Sequence, residues 1–417
     1  MRLSKACLLL ACSALSLSVA PALADSLKII HTFVDIAKGA RPRAALTSDA
    51  SGNLYGTTYT GAPDGNGTVF ELSPPANGKK KWTQTVLHRF TTNVKNGIYP
   101  DSSVILDKDG NLYGTTSEGG INDAGVIFEL VRPIEAGADW HEIVIHRFTG
   151  GADGGTPHGT MVFGPDGALY GAAGFGGKSG AGLIYRFSQM GNGKWKEDIL
   201  YNFTNGADGG YPYCTPIFDG AGNLYGTALN GGNTGNGVVF ELAPPAPGGK
   251  KWAETVLHSF DDSTDGVEPR MGVIMDGSGN LYGTTESGGS IGYGAVFEVS
   301  PPAQGGSSWT ENVIYSFDFS PNGGSPAYSN LVMDGTGNLY GTTQTGGTAK
   351  NGVVFELSPQ SGDSWTETVV HTFQEAPDGA QPEAGLLLGS DGTLYGTTFF
   401  GGDSDDSGTV FSIAAKK

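Results

Sequence analysis

The chain is 417 residues long and carries 42 acidic against 24 basic residues, a formal charge of −18. A surface this acidic repels phosphate backbones and anionic lipid, which excludes nucleic acid as an expected partner. Of three cysteines, Cys7 and Cys12 sit at the extreme N-terminus and only Cys214 lies further on, so no disulfide framework can hold the fold.

Residues 1–24 come first. Arg2 and Lys5 precede an apolar run from Ala6 to Ala20, and Ala22-Leu23-Ala24 supplies the small-residue pattern of a cleavage site, so a signal peptide cut after Ala24 is expected. Lipidation at Cys12 is the rival reading, disfavoured because only six residues separate Lys5 from that cysteine. Loss of Arg2 and Lys5 leaves 22 basic against 42 acidic residues. No later stretch reaches the roughly 18 apolar residues of a membrane helix, so no membrane span is expected.

The phrase Leu-Tyr-Gly then returns seven times, with tyrosines Tyr55, Tyr113, Tyr170, Tyr225, Tyr282, Tyr340 and Tyr395 spaced 55 to 58 residues apart. Such a period marks a repeat architecture. Each repeat holds four stretches of strand character; in the fifth they are 273–275, 281–285, 295–299 and 309–317. The first two are joined by Asp-Gly-Ser-Gly-Asn, whose glycines and asparagine tolerate the positive φ of a tight hairpin. In the second repeat this turn, 107–111, faintly resembles a calcium loop, but the other copies lack the further acids, and no metal is expected.

The fourth stretch alternates, placing Trp82, Val86, His88 and Phe90 on one face. His31, His88, His146, His258 and His371 share one slot of this strand with Tyr201 and Tyr315. A slot filled by either ring asks for a flat side chain with a polar tip, which reads as packing and not as a metal ligand or a base.

Seven units of four antiparallel strands predict an all-β fold, a seven-bladed β-propeller occupying 25–417 as a single domain. Fourth-strand signatures end at Phe33, Phe90, Phe148, Phe203, Phe260, Phe317 and Phe373, so one precedes the first full repeat and the last repeat lacks its own. The N-terminal strand is therefore expected to complete the seventh blade beside 410–413, hiding two open edges.

The unit Gly-Asn-Leu-Tyr-Gly-Thr-Thr, followed by Gly-Gly and Val-Phe-Glu-Leu, as in 337–343, 346–347 and 353–357, resembles the GloVer tandem repeat of the bacterial exported proteins called choice-of-anchor proteins. The resemblance covers essentially the whole chain after residue 24. It implies export and a repeat architecture, and it carries no established activity. A C-terminal sorting segment found in some members is missing here, which implies a soluble periplasmic or released protein.

The loops entering each innermost strand are marked by Pro42, Pro100, Pro157, Pro212, Pro269, Pro326 and Pro382. After each proline stands a residue that differs from repeat to repeat: Arg43, Asp101, His158, Tyr213, Arg270, Tyr328 and Glu383, with one extra residue before Tyr328. A position that repeats in space but not in chemistry suggests an asymmetric ligand, although these groups could also pair with one another across a wet funnel. Three readings follow. A binding module takes a glycan or an extracellular protein. A polysaccharide-cleaving enzyme uses Asp101 and Glu383 on either side of Arg43 for hydrolysis, or Tyr213 or His158 as base and Arg270 as charge partner for elimination. A scaffold does neither. No nucleophile elbow, metal-spaced histidine pair or phosphate loop is present, no cofactor is expected, and a monomer is expected.

Overall fold

Each Leu-Tyr-Gly phrase forms the second strand of a four-stranded sheet in the computed structural model, which describes residues 27–414 apart from 77–78, 92, 136, 192, 262–263, 304–305, 307, 327 and 363. The expected signal peptide lies outside the described residues. After β1 (Lys28–Thr32), the first blade contains β2 (Thr47–Ser48), β3 (Leu54–Thr58), β4 (Thr68–Ser73) and β5 (Thr83–Arg89). These strands pair in sequence order, and the pattern recurs to give seven sheets of four antiparallel strands. In the seventh sheet β1 supplies the outer strand: Lys28 pairs with Ser412 and Thr32 with Thr409. The chain is thus a seven-bladed β-propeller closed by its own N-terminal strand. Two short 3-10 turns, Ile36–Lys38 and Val94–Asn96, are the only helical elements among the described residues.

The repeated phrase has a local cause at each letter. Gly56 pairs across the sheet with Phe70, and a Cβ on Gly56 would come within 2.7 Å of that ring, so the glycine is there to let the ring lie over it. The tyrosine caps the hairpin. Oδ2 of Asp49 accepts from the hydroxyl of Tyr55 (3.1 Å) and Nδ2 of Asn53 (2.8 Å), while Oδ1 accepts from the amides of Ser51 (2.9 Å) and Asn53 (3.0 Å). At the turn with a faint calcium-loop look, Oδ1 of Asp107 likewise accepts from the amides of Asp109 and Asn111 at 2.8 and 2.9 Å. The carboxylate is consumed by its own hairpin, an Asx turn.

The hydrophobic core lies between blades, not within them. Tyr55, Val69, Leu87 and Phe90 of the first blade pack with Val104, Leu112, Phe128 and Leu130 of the second. The fourth strand departs from simple alternation here. Val69 pairs with His88 and Phe70 with Val86, so Leu87 is the extra residue of a β-bulge and is turned inward to 8% exposure. The ring slot is capped as a polar tip requires. His146, His258 and His371 place Nε2 3.2, 3.2 and 2.8 Å from Asp153, Asp265 and Asp378, and the hydroxyl of Tyr201 donates to Asp208 at 3.0 Å.

Two interlocks fix neighbouring blades, the first at all seven contacts and the second at every blade but the third, which has Ala172 in place of the threonine. A positive-φ glycine before the third strand leaves a notch for the following blade's proline: a Cβ on Gly125 would meet Cδ of Pro157 at 2.9 Å, and one on Gly408 would meet Pro42 at 2.8 Å, which carries the pattern across the closure. The threonine after Leu-Tyr-Gly donates to a carbonyl beside the next blade's variable residue: Thr57 to Ser102 (3.1 Å), Thr115 to Pro157 (3.3 Å), Thr342 to Ala384 (2.8 Å) and Thr397 to Ala44 (3.3 Å).

Candidate functional site

Arg43, Asp101, His158, Tyr213, Arg270, Tyr328 and Glu383 all line one cavity of about 120 Å³ on the propeller axis. Its floor is made of small groups from the residues that follow, among them Ala45, Ser103, Thr160 and Gly385. Since a single water needs about 10–15 Å³ on this scale, the cavity has room for a small ligand group or several waters.

The backbone that delivers these side chains is bent the same way seven times. Directly before each proline, Arg41, Tyr99, Thr156, Tyr211, Glu268, Ser325 and Gln381 are left-handed, with φ from 51 to 61°. Non-glycine residues rarely adopt this conformation, and it persists where the surroundings over-determine it. The surroundings are hydrogen bonds on both sides. The Arg41 amide donates to the Ser407 carbonyl of the preceding blade (2.7 Å), and the Arg41 carbonyl accepts from the amide of Tyr59 in its own blade (3.0 Å).

Around the rim each group meets its neighbour. Nε of Arg43 lies 2.9 Å from Oε2 of Glu383, whose Oε1 accepts from Nε2 of Gln344 at 2.7 Å. The Arg43 guanidinium stacks 4.9 Å from the Tyr328 ring, Arg270 covers the same ring at 5.3 Å, and Arg270 also faces Tyr213 at 5.8 Å. Tyr213 meets His158 edge-on at 4.8 Å, and Nδ1–H of His158 donates to Oδ2 of Asp101 at 2.6 Å. Burial alone would lower the pKa of Arg43, but the fields of Glu383, Tyr328 and Asp101 overturn that and raise it. Arg270 is raised in the same way, against its burial, by Tyr328 and Glu286. Burial also raises the Tyr213 pKa, ahead of the opposing pull of Arg270, so the phenol keeps its proton and acts as a donor.

One atom stands outside this mutual pairing. The Asp101 side chain is only 4% exposed, and its Oδ1 has no hydrogen-bond partner.

A second variable column went unnamed in the sequence reading. It directly follows the Leu-Tyr-Gly-x-x phrase and holds Tyr59, Ser117, Gly174, Leu229, Glu286, Gln344 and Phe399. Several of these touch the first column. Tyr59 lies under Arg43 at 5.5 Å, Glu286 accepts from Nε of Arg270 at 2.8 Å, and Gln344 holds Glu383. A fixed count forward from each Leu-Tyr-Gly finds this column in the sequence.

The model of the Gloeobacter/Verrucomicrobia repeat matches the sequence twice, over residues 18–213 and 189–411. No curated protein sequence matches the chain. Among solved structures, a Thermus thermophilus protein described as an oxidoreductase (glucose dehydrogenase) is similar at 12% identity and a TM-score of 0.42, covering 93% of this chain and 99% of its own. A Dyadobacter fermentans protein of unknown function is similar at 11% identity and a TM-score of 0.45, with the same coverages of 93% and 99%. A Xanthomonas campestris gluconolactonase is similar at 11% identity and a TM-score of 0.40, covering 74% of this chain and 83% of its own. None of the three transfers an activity or a residue role.

Proposed function

The chain belongs to the Gloeobacter/Verrucomicrobia repeat family, and on that premise we propose that it is an exported protein whose axial funnel binds a glycan. The observation that carries this reading is Oδ1 of Asp101. A buried carboxylate oxygen left without a donor costs about 1–3 kcal/mol or more, so the site asks for a ligand that brings an O–H to it. A sugar hydroxyl does so. The Tyr213 hydroxyl keeps its proton to donate to a sugar oxygen, and Arg43 and Arg270, both against the Tyr328 ring, suit an acidic substituent such as a uronate carboxylate. Export rests on the cleavage pattern at Ala22-Leu23-Ala24.

The test is a glycan array with Asp101→Asn, Arg270→Ala and Tyr213→Phe beside wild type. Binding weakened at least tenfold in Asp101→Asn and Arg270→Ala, at unchanged melting temperature, is the expected result. Three variants that bind like wild type would leave the funnel a solvated ring and defeat the reading.

A second reading, proton abstraction from a uronate, is favoured by the 2.6 Å contact between His158 and Asp101. Asp101 on Nδ1 fixes the tautomer that leaves Nε2 as the acceptor, and Tyr213 beside it holds a proton to give to a leaving group. Hydrolysis by a carboxylate pair is less well served, because Glu383 already accepts from both Arg43 and Gln344. An assay for unsaturated products on acidic polysaccharides separates the cases. Product that disappears in Tyr213→Phe supports elimination, and retention without product supports binding alone.

A further inference from the structure

At the outer rim, far from the funnel, neighbouring blades meet through three side chains. One is the ring of the fourth-strand slot, one comes from the loop after it, and one lies on the next blade's fourth strand, four residues before that blade's own slot. Where the loop residue is an amide it supplies a hydrogen bond: Nδ2 of Asn96 donates to Oε2 of Glu142 at 2.7 Å, while Oε1 of Glu142 has no hydrogen-bond partner. At three interfaces the loop residue is an aspartate in the field of a second acid: Asp153 with Glu197, Asp208 with Glu254 and Asp265 with Glu311. In all three cases Oε1 of the glutamate is closed to solvent and has no hydrogen-bond partner. Opposed carboxylates in such a place need a positive charge between them, either a proton or a metal ion.

Two of these interfaces add an imidazole, His146 beside Asp153 and His258 beside Asp265, and at the second the geometry decides which. Among the described residues, His258, Asp265 and Glu311 are the one group whose ligand atoms all converge, each within 4.8 Å of the others. His258 and Asp265 belong to the fourth blade and Glu311 to the strand Thr310–Ser316 of the fifth. We propose that these three residues bind a first-row transition-metal dication of the Zn²⁺ class, which clips the fourth blade to the fifth. One imidazole nitrogen and two carboxylate oxygens suit such an ion, whereas Ca²⁺ and Mg²⁺ take oxygen ligands. The His258 and Asp265 side chains are 18% and 17% exposed, so an ion reaches them from outside and keeps coordination positions for water. The neighbouring interface is a built-in control. There Tyr201 occupies the ring slot and its hydroxyl donates to Asp208, which leaves Asp208 and Glu254 with no imidazole to complete a ligand set.

The experiment titrates chelator-treated, full-length protein with Zn²⁺ and with Ca²⁺, by calorimetry and by thermal melting. One equivalent of Zn²⁺ should bind and raise the melting temperature, at least tenfold more weakly in Glu311→Gln and in Asp265→Asn, and unchanged in Glu254→Gln. Ca²⁺ should do neither. No saturable Zn²⁺ binding in wild type, equal binding in both Glu311→Gln and Asp265→Asn, or equal loss in Glu254→Gln would each overturn the proposal.

Discussion

Single residues in this chain are dictated by what lies across the sheet from them. Gly283 sits opposite Phe297, and a Cβ there would run into Cζ of the ring, whereas a Cβ on the turn residue Gly277 would meet nothing within 4 Å. Gly283→Ala should therefore destabilise by about 1–3 kcal/mol as an overpacked core site, and Gly277→Ala by less than about 0.5 kcal/mol. Denaturant melts of the two variants check this; equal costs would show that the phenylalanine ring does not set the motif. Cys214 is fully buried against Gly226, and burial pushes its thiol up to about 11. It should resist thiol reagents in the native protein and react only on unfolding. Labelling at native rates equal to those in denaturant would contradict its placement.

At the level of elements, the strands position the funnel through contacts between blades. The Thr57 hydroxyl donates to the Ser102 carbonyl, next to Asp101, so Thr57→Val keeps the shape but orphans a buried acceptor. A loss of about 1–3 kcal/mol is expected, read by thermal melting against Thr60→Val, whose hydroxyl is only partly buried. Removing β1 strips the outer strand from the seventh sheet and opens the edge of Thr409–Ala414. A chain beginning at residue 34 should aggregate or melt far below the full one. A truncated chain with the same melting curve would remove β1 from the closure.

How much of this was legible follows from what repeats. The place after each entering-loop proline located Arg43, Asp101, His158, Tyr213, Arg270 and Glu383, and a count back from Leu339 located Tyr328, all on one rim, because a fixed offset in a repeat is a fixed place in a ring. The contact of Arg43 with Glu383 depends on the first and last blades touching, which is a property of closure and has no local signal. The bulge at Leu87 is silent too, since one leucine reads alike facing in or out. Nor could the left-handed backbone at Arg41 or Tyr99 be read off, because residues before proline favour extended conformations.

For the whole molecule, the interblade carboxyls and imidazoles set opposing pH responses. Glu142, Glu197, Glu254, Glu311 and Glu367 are all pushed up to about 7, by burial first. Their contribution is fully present below the ordinary value of 4.5 and is lost as pH rises through about 7. His31 and His88, pulled down to about 4 by burial first, stabilise above 6.5 and lose that effect as pH falls through about 4. The two oppose each other between 4.5 and 6.5, where the loss with rising pH is partly cancelled, and above 6.5 the glutamate loss is unopposed. Glu254→Gln should melt like wild type near about pH 5 and at a higher temperature than wild type near about pH 8. A gain of the same size at both pH values would show that Glu254 is not the titrating group.

The pairing of Lys28–Thr32 with Thr409–Ala414 also governs the order of events at birth. Lys28–Thr32 waits for Thr409–Ala414, roughly 20 to 80 s at a synthesis rate of 5–20 residues per second. Throughout that interval the growing chain carries an unfinished blade with a bare edge, and Thr397 cannot reach the Ala44 carbonyl that locks the ring. A ribosome-bound chain should therefore stay protease-sensitive at residues 27–33 until Thr409–Ala414 has emerged, then become protected in a single late step.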